Sequence, residues 1–203
     1  MKSLSEIDTT SKRASRAAGY SWGISEEVGK NIKILEMFGL PGIKNLNNFF
    51  NNRKIKKFEN LNFISKDNKT TSSEFCPIVL GTNFIDQIKS LEKFNEIKFE
   101  KIAYPLLFLP FVSRASEIIG KRIFLKFDNK EFLLNFNLNI YSNFLQNEIV
   151  ESANTIFIKF LENSDSFSEK EWENLYKLSE ETFVEESESL KQVGAGAGLT
   201  DND

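Results

Sequence analysis

The hydrophobic period of the chain changes near Asn60, and this change constrains the fold more than any other sequence feature. Before it, apolar residues recur at helical spacing, as in Ile24, Val28 and Ile32. After it, residues 132–140 alternate between apolar and mostly polar side chains, the pattern of a strand with one wet face. We therefore expect an α+β fold, with an N-terminal helical hairpin packed on a mostly antiparallel or mixed sheet that carries helices on one face.

Composition divides the chain into three segments. Residues 1–57 form an N-terminal helical segment, residues 58–184 an α+β core, and residues 185–203 a polar and then Gly/Ala-rich C-terminal tail. A chain of 203 residues buries enough surface to form a core without disulfides or metals.

Capping signals place the N-terminal helices. Ser3 and Glu6 match a capping box that opens a helix ending near Ala18, with Gly19 at the C′ position. Its predicted buried face consists of Leu4, Ile7, Ala14 and Ala17 or Ala18. A second helix is expected to begin near Ile24, and a third to cover 42–52, followed by a basic connector over 53–57.

The core is predicted from alternation, apolar runs and turn residues. The predicted strands are 61–65, 75–80, 97–104, 123–127, 131–141 and 155–161, and the predicted helices are 83–94, 105–119 and 168–183. Asp128-Asn129 is expected to form a two-residue hairpin turn. The last helix is expected to bury Trp172, Leu175 and Leu178.

The sequence contains no histidine and one cysteine, Cys76. This removes the usual general base, the Ser-His and Cys-His nucleophile systems, and multi-cysteine zinc sites. Cys76 is expected to be a small buried side chain. We therefore assign no catalytic residue, no metal site and no cofactor.

Charge and hydropathy also restrict the partners. The net charge of −3 comes from interspersed acids and bases, which gives no basic field for nucleic acid. The most apolar run, 104–112, is too short for a membrane span of about 20 residues. Without the apolar region of a signal peptide near the N-terminus, we expect a cytoplasmic protein.

Arginine use indicates where an anion could bind. Only five of the 26 basic residues are arginines, and the guanidinium group is a good fork for carboxylate or phosphate. Arg13 and Arg16 share one helix face, and Arg114 lies in an apolar segment where it needs a partner. Each either forms a structural ion pair or binds an anionic ligand. Trp22, in a turn, is either a core residue or a stacking surface.

The C-terminal stretch "VGAGAGLTDND" is the second candidate feature. Its glycines lack the spacing of a dinucleotide-binding loop, and no lysine follows them as in a P-loop. It is either a disordered end or a flexible strap, with Leu199 as its anchor and its acids reaching Arg13, Arg16 or Arg114. The residues of this strap are Gly194, Gly196, Gly198, Leu199, Asp201, Asn202 and Asp203.

Four blocks together resemble a proteobacterial family known as domain of unknown function 3726. They are "RASRAAGYSWGISEEVGKNIKILEMFGLPG" (13–42), "CPIVLG" (76–81), "PLLFLPFVSRAS" (105–116) and "GAGAGLTDND" (194–203). The resemblance implies that the Gly-Ala ending is a family feature. It implies no activity, substrate or cofactor.

Three functions remain open. The first is an accessory protein or a binder of a small anionic metabolite, and the second is a histidine-free lyase or isomerase acting on a small organic acid. The third is an obligate subunit that inserts its C-terminal tail into a protein partner. A pocket with two arginines and a perturbed carboxylate favours the enzyme, a pocket without such an acid favours binding, and an exposed apolar patch favours the subunit.

Overall fold

The computed structural model describes residues 1–144 and 148–182. The chain divides into two compact units, one covering Met1–Asn163 and the other beginning at Ser164. The helices of the described residues are α1 (Leu4–Ala17), α2 (Trp22–Met37), α3 (Gly42–Arg53), α4 (Pro77–Leu91), α5 (Pro105–Ile119) and α6 (Glu169–Glu180). The strands are β1 (Asp67–Asn68), β2 (Glu96–Ala103), β3 (Arg122–Phe127), β4 (Lys130–Leu134), β5 (Ile140–Ser142) and β6 (Ser152–Leu161).

The strands form one mixed sheet in the order β1-β2-β6-β3-β4-β5. The β1–β2 pair is parallel, and all other neighbouring pairs are antiparallel. Helices α1–α3 precede the sheet along the chain, so the predicted α+β class with an N-terminal helical hairpin is confirmed.

One face of the sheet is buried and the other is half-exposed. On β3, Ile123, Leu125 and Phe127 are buried, whereas the residues between them are partly exposed. Phe99 of β2 lies edge-on to Phe108 of α5, with ring centroids 5.8 Å apart. Phe108 also meets Phe84 of α4 at 5.6 Å, so α5 lies on the buried face and α4 packs against α5.

Small residues form the turn of the helical hairpin and allow α1 and α2 to pack closely. Ser3 and Glu6 form the predicted capping box, and Gly19 takes a left-handed φ of +94° after α1. The predicted buried face of α1 is only partly right: Ile7 and Ala18 pack against the core, but Leu4, Ala14 and Ala17 are exposed. Ser11 and Ser15 are buried instead. Serine fits where α1 and α2 approach closely, and the Ser15 hydroxyl donates to the Ser11 carbonyl at 2.7 Å.

The two strands predicted over 61–65 and 75–80 are also wrong. Pro77 opens α4, as proline does at the first position of a helix. The backbone over 61–65 is held by side chains of that helix instead of by a strand. Asn83 donates to the Leu61 carbonyl at 2.8 Å, and the Ile64 amide donates to the Gln87 side chain at 3.1 Å.

The long strand predicted over 131–141 is broken into β4 and β5. The Asn135 side chain accepts hydrogen bonds from the amides of Asn137 at 3.0 Å and Asn139 at 3.2 Å. Leu138 takes a left-handed φ of 59° within this turn. An asparagine that bonds the backbone two residues ahead offers a turn in place of a strand. The predicted turn at Asp128-Asn129 does connect β3 to β4.

Helix α6, which belongs to the second unit, begins at the predicted Ser168 capping box. Trp172, Leu175 and Leu178 were expected to be buried, but each is more than half exposed, at 51%, 65% and 59%. None of the residues of α6 is buried. The amphipathic pattern therefore marks a face of the helix that the described residues of its unit leave exposed.

Gly29 sets the distance between α1 and α2, which gives a first prediction. A Cβ at this position would lie 2.5 Å from Asp8 Oδ1 and 2.8 Å from the Asp8 carbonyl oxygen. Gly29→Ala should therefore lower the free energy of unfolding by about 1–3 kcal/mol through overpacking, measured by urea denaturation. Gly23→Ala, in the same helix with no atom within 4 Å, is the control and should be neutral or stabilising. Equal effects of the two variants would contradict the close approach.

Candidate functional site

Arg114 has a carboxylate partner within the structure. Its guanidinium group pairs with Glu27 of α2, and it also donates to Asn31 Oδ1 at 3.4 Å. The side chains of Arg114 and Glu27 are only 22% and 25% exposed. The ion pair therefore joins α5 to α2. Of the two roles expected for Arg114, a structural ion pair and the binding of an anionic ligand, the structure has the ion pair.

Burial and neighbouring charges shift the pKa of Glu27 in opposite directions. Burial raises the pKa of its carboxyl group, but the hydrogen bond and charge of Arg114, together with Lys30 at 3.2 Å, hold that pKa below its ordinary value. A carboxyl group with a lowered pKa in the folded state stabilises the fold above its unfolded pKa. That contribution is lost as the pH falls through the folded pKa.

The other predicted residues lie near the turn between α1 and α2. Arg16 donates to the Tyr20 carbonyl at 3.0 Å and lies 5.5 Å from the ring centroid of Trp22, which is 59% exposed. Arg13 is exposed on α1. Glu26 of α2 pairs with Lys12 of α1 at 2.9 Å. The residues assigned to the C-terminal strap, from Gly194 to Asp203, lie outside the described residues.

A cavity of about 420 Å³ opens on the other side of this turn, and we call it the basic cavity. The α1–α2 turn, the connector after α3 and the N-terminus of α4 enclose it. Its lining residues are Gly19, Tyr20, Ser21, Ile24, Arg53, Lys56, Lys57, Phe58, Asn60, Cys76 and Val79. The sequence predicts only a connector for the run Arg53–Lys57. Four of its five residues are basic, and this density of positive charge could have indicated an anion site.

Three cations and no carboxylate line the basic cavity within the described part of the chain. Arg53 lies 4.4 Å from the ring centroid of Tyr20 and donates to the Ala18 carbonyl at 3.0 Å. Lys56 reaches Glu74 at 2.6 Å. Among the described residues, Lys57 has no carboxylate partner. The cavity therefore has a positive potential in a chain whose net charge is −3.

Tyr20 and Cys76 are the buried residues of the basic cavity, at 6% and 4% exposure. The Tyr20 hydroxyl and Cys76 Sγ are 3.5 Å apart. Burial raises the pKa of Tyr20 well above its ordinary value, and the neighbouring Cys76 adds to this, while Arg53 opposes it. The hydroxyl therefore stays protonated near neutral pH, which makes it a hydrogen-bonding group and not a base.

The N-terminus of α4 borders the same region, since Cys76 and Val79 line the cavity. Cys76 occupies the N-cap position, but its side chain makes no capping hydrogen bond. The first amides of a helix have no partner within the helix, and they carry the positive end of its dipole. Together with the three cations they favour an anion. No group of three or more metal-ligating side chains occurs among the residues described.

The fold and the site define an α+β protein with a basic, carboxylate-free cavity. The family described as "Protein of unknown function (DUF3726)" matches residues 2–83, which supports the resemblance seen in the sequence. All residues that line the basic cavity fall within this matched stretch, whereas the blocks at 105–116 and 194–203 fall outside it. No curated protein and no solved structure matches the chain.

The Glu27–Arg114 pair gives a second prediction. Glu27→Gln should cost about 1–3 kcal/mol of unfolding free energy near pH 7, because Arg114 then stays partly buried without a counter-charge. The difference between the two proteins should shrink as the pH falls below the ordinary pKa of a glutamate and then through the lowered pKa of Glu27, where the carboxyl group of the native protein takes up its proton. Urea denaturation over this pH range measures both effects.

The matched control is Glu26→Gln. Glu26 precedes Glu27 directly, but its pair with Lys12 is solvent-exposed, so little change is expected. An equal loss of stability in both variants, or a Glu27→Gln deficit that does not depend on pH, would contradict the role given to Arg114.

Proposed function

We propose that the protein binds a small anionic ligand in the basic cavity. The observation that carries this proposal is the convergence of Arg53, Lys56 and Lys57 on one cavity, which is lined by no carboxylate of the residues that the structure describes. Arginine supplies a fork for carboxylate or phosphate oxygens, and lysine a compact charge. The protonated Tyr20 hydroxyl adds a neutral hydrogen-bonding group.

Binding is favoured over catalysis by the composition of the cavity. The enzyme hypothesis requires two arginines and a carboxylate with a perturbed pKa, whereas the described residues supply one arginine and no carboxylate to the lining of the cavity. Cys76 lies within it but is buried against a protonated tyrosine, and no histidine exists to activate it. A histidine-free lyase or isomerase stays a prediction without an observation in its favour.

None of the helices in the described ranges is long and apolar enough to cross a membrane. The cytoplasmic location predicted from the sequence remains part of the proposal.

Thermal denaturation with a panel of small carboxylates and phosphates tests the proposal, which gives the third prediction. A ligand at about a hundred times its Kd stabilises the folded state by about 2.7 kcal/mol, so at least one anion should raise Tm by several degrees. Lys57→Gln should weaken that ligand by about tenfold, the loss expected from one charged hydrogen bond. Lys57 is the residue of choice because it makes no ion pair with a carboxylate of the described residues.

Lys54→Gln is the matched control. Lys54 is exposed in the same connector but does not line the cavity, so it should leave the affinity unchanged. If no anion of the panel raises Tm, or if Lys54→Gln weakens binding as much as Lys57→Gln, the basic cavity is not the binding site.

A second candidate function, the obligate subunit, is favoured by the exposed face of α6. Trp172, Leu175, Tyr176 and Leu178 expose between 51% and 65% of their surface. Glutamates flank this face, including Glu169, Glu173 and Glu180 beside Trp172 and Tyr176. The complementary partner is a protein groove with an apolar floor and a basic rim. Insertion of the C-terminal tail into such a partner remains a prediction.

Substitution on α6 tests this second function and is the fourth prediction. Leu175→Ser should change the unfolding free energy of the isolated chain by less than about 0.5 kcal/mol, because an exposed side chain loses no packing. Leu107→Ser, at a site that is 3% exposed in α5, is the contrast and should cost more than about 2 kcal/mol. If Leu175→Ser costs as much as Leu107→Ser, the face is part of the core of the free protein and not a docking surface.

A further inference from the structure

A second cavity, of about 400 Å³, shares Lys56 and Lys57 with the basic cavity. We call it the serine cavity, because Ser72, Ser73 and Ser152 contribute to its lining along with Lys101. Lys56 and Lys57 therefore stand between two adjoining spaces and line both. A ligand that fills the basic cavity has a second polar space directly beside it.

The serine cavity is also basic. Lys56, Lys57 and Lys101 line it, against a single carboxylate of the described residues, Glu74. Glu74 is already engaged by Lys56 at 2.6 Å. The carboxylate of the nearby Glu59 does not line either cavity and accepts hydrogen bonds from the Thr71 amide at 3.0 and 3.2 Å. Lys57 and Lys101 thus lack a carboxylate partner within the described part of the chain.

Lys101 is held in this position by an uncommon backbone conformation. Its φ of 44° is left-handed, a region that residues other than glycine adopt at a cost of about 1–3 kcal/mol. The Lys101 carbonyl accepts from the Phe75 amide at 2.8 Å, which joins strand β2 to the segment that leads into α4. The same connection brings Lys101 of β2 next to Ser72, Ser73 and Glu74.

We propose that the ligand carries two linked phosphate groups, one in each cavity, with Lys56 and Lys57 between them. This proposal rests on anion binding in the basic cavity and names the chemical class of the anion. Lysine ammonium groups and serine hydroxyls supply point charges and single donors, which suit the several acceptor oxygens of a phosphate. The first phosphate faces Arg53 and Tyr20, and the second faces Lys101 and the serines.

Two linked groups bind more tightly than one because the second binding event becomes intramolecular. Titration calorimetry with inorganic phosphate, pyrophosphate and tripolyphosphate, at constant ionic strength, tests this directly. We expect the affinity of the full chain to rise by at least about tenfold between phosphate and the best linked phosphate. Glu74→Gln should strengthen the binding of all three, since it frees Lys56 and removes a negative charge from the serine cavity.

Lys101→Asn is the decisive variant, because asparagine tolerates the left-handed backbone while the positive charge is lost. It should remove the gain in affinity that pyrophosphate and tripolyphosphate show over inorganic phosphate. Lys98→Gln, on the same strand but in neither cavity, should change none of the three affinities. Thermal denaturation without ligand verifies that each variant is folded.

Equal affinities for the three phosphates, or an unchanged gain in Lys101→Asn, would overturn the two-site proposal while leaving anion binding in the basic cavity intact. If a carboxylate from the panel binds and no phosphate does, the phosphate class is overturned and the binding function stands. If no anion of either kind binds, the function proposed for the basic cavity fails as well.

Discussion

The close approach of α1 and α2 at Gly29 is the constraint on which the arrangement of the N-terminal half depends. With no Cβ at this position, the backbone of Asp8 comes within 3 Å of where one would stand. The hairpin then needs a short turn, which Gly19 provides with its left-handed φ. This turn carries Tyr20 inward against Cys76 at the start of α4, and it thereby forms one wall of the basic cavity. Packing between two helices thus sets the position of a site that neither helix forms alone.

The charges of this protein have two different environments. Arg114 and Glu27 are partly buried and satisfy each other, so their contribution lies in joining α2 to α5. Arg53, Lys56 and Lys57 stand at an open cavity, where water limits the repulsion among them. An anion that enters the cavity displaces some of that water and meets all three cations at once. These cations gain free energy from an anion only when the ligand is bound. This is the behaviour of a ligand-binding site, whereas a structural ion pair stabilises the folded protein at all times.

The sequence predicts much of the fold correctly in segments whose structure depends on a single local preference, such as helix capping or the alternation of apolar residues. The capping boxes at Ser3 and Ser168, glycine at the ends of α1 and α5, and the alternation in β3 all concern local backbone preferences. The strand predictions failed where polar side chains bond to backbone groups that would otherwise pair with a neighbouring strand. Asn135 ends β4 through its own side chain, and Asn83 and Gln87 hold the segment before β1 without a strand. An apolar run of strand length, such as 75–80, has no periodicity that separates a strand from the first turn of a buried helix.

The candidate site was harder to predict because residue type alone does not identify a free cation. The hydrogen-bonding geometry of arginine favours it over lysine as a candidate anion-binding residue. This criterion selects Arg13, Arg16 and Arg114 from the sequence. What distinguishes one cation from another in the folded chain is the carboxylate beside it, and such pairs join residues far apart in sequence, as with Arg114 and Glu27. The run Arg53–Lys57 differs, since its charges are adjacent in sequence and lie close together whatever their partners, although Lys56 also pairs with Glu74. A dense local run of basic residues next to a helix end is therefore a more informative signal for an anion site in this chain than the rarity of arginine.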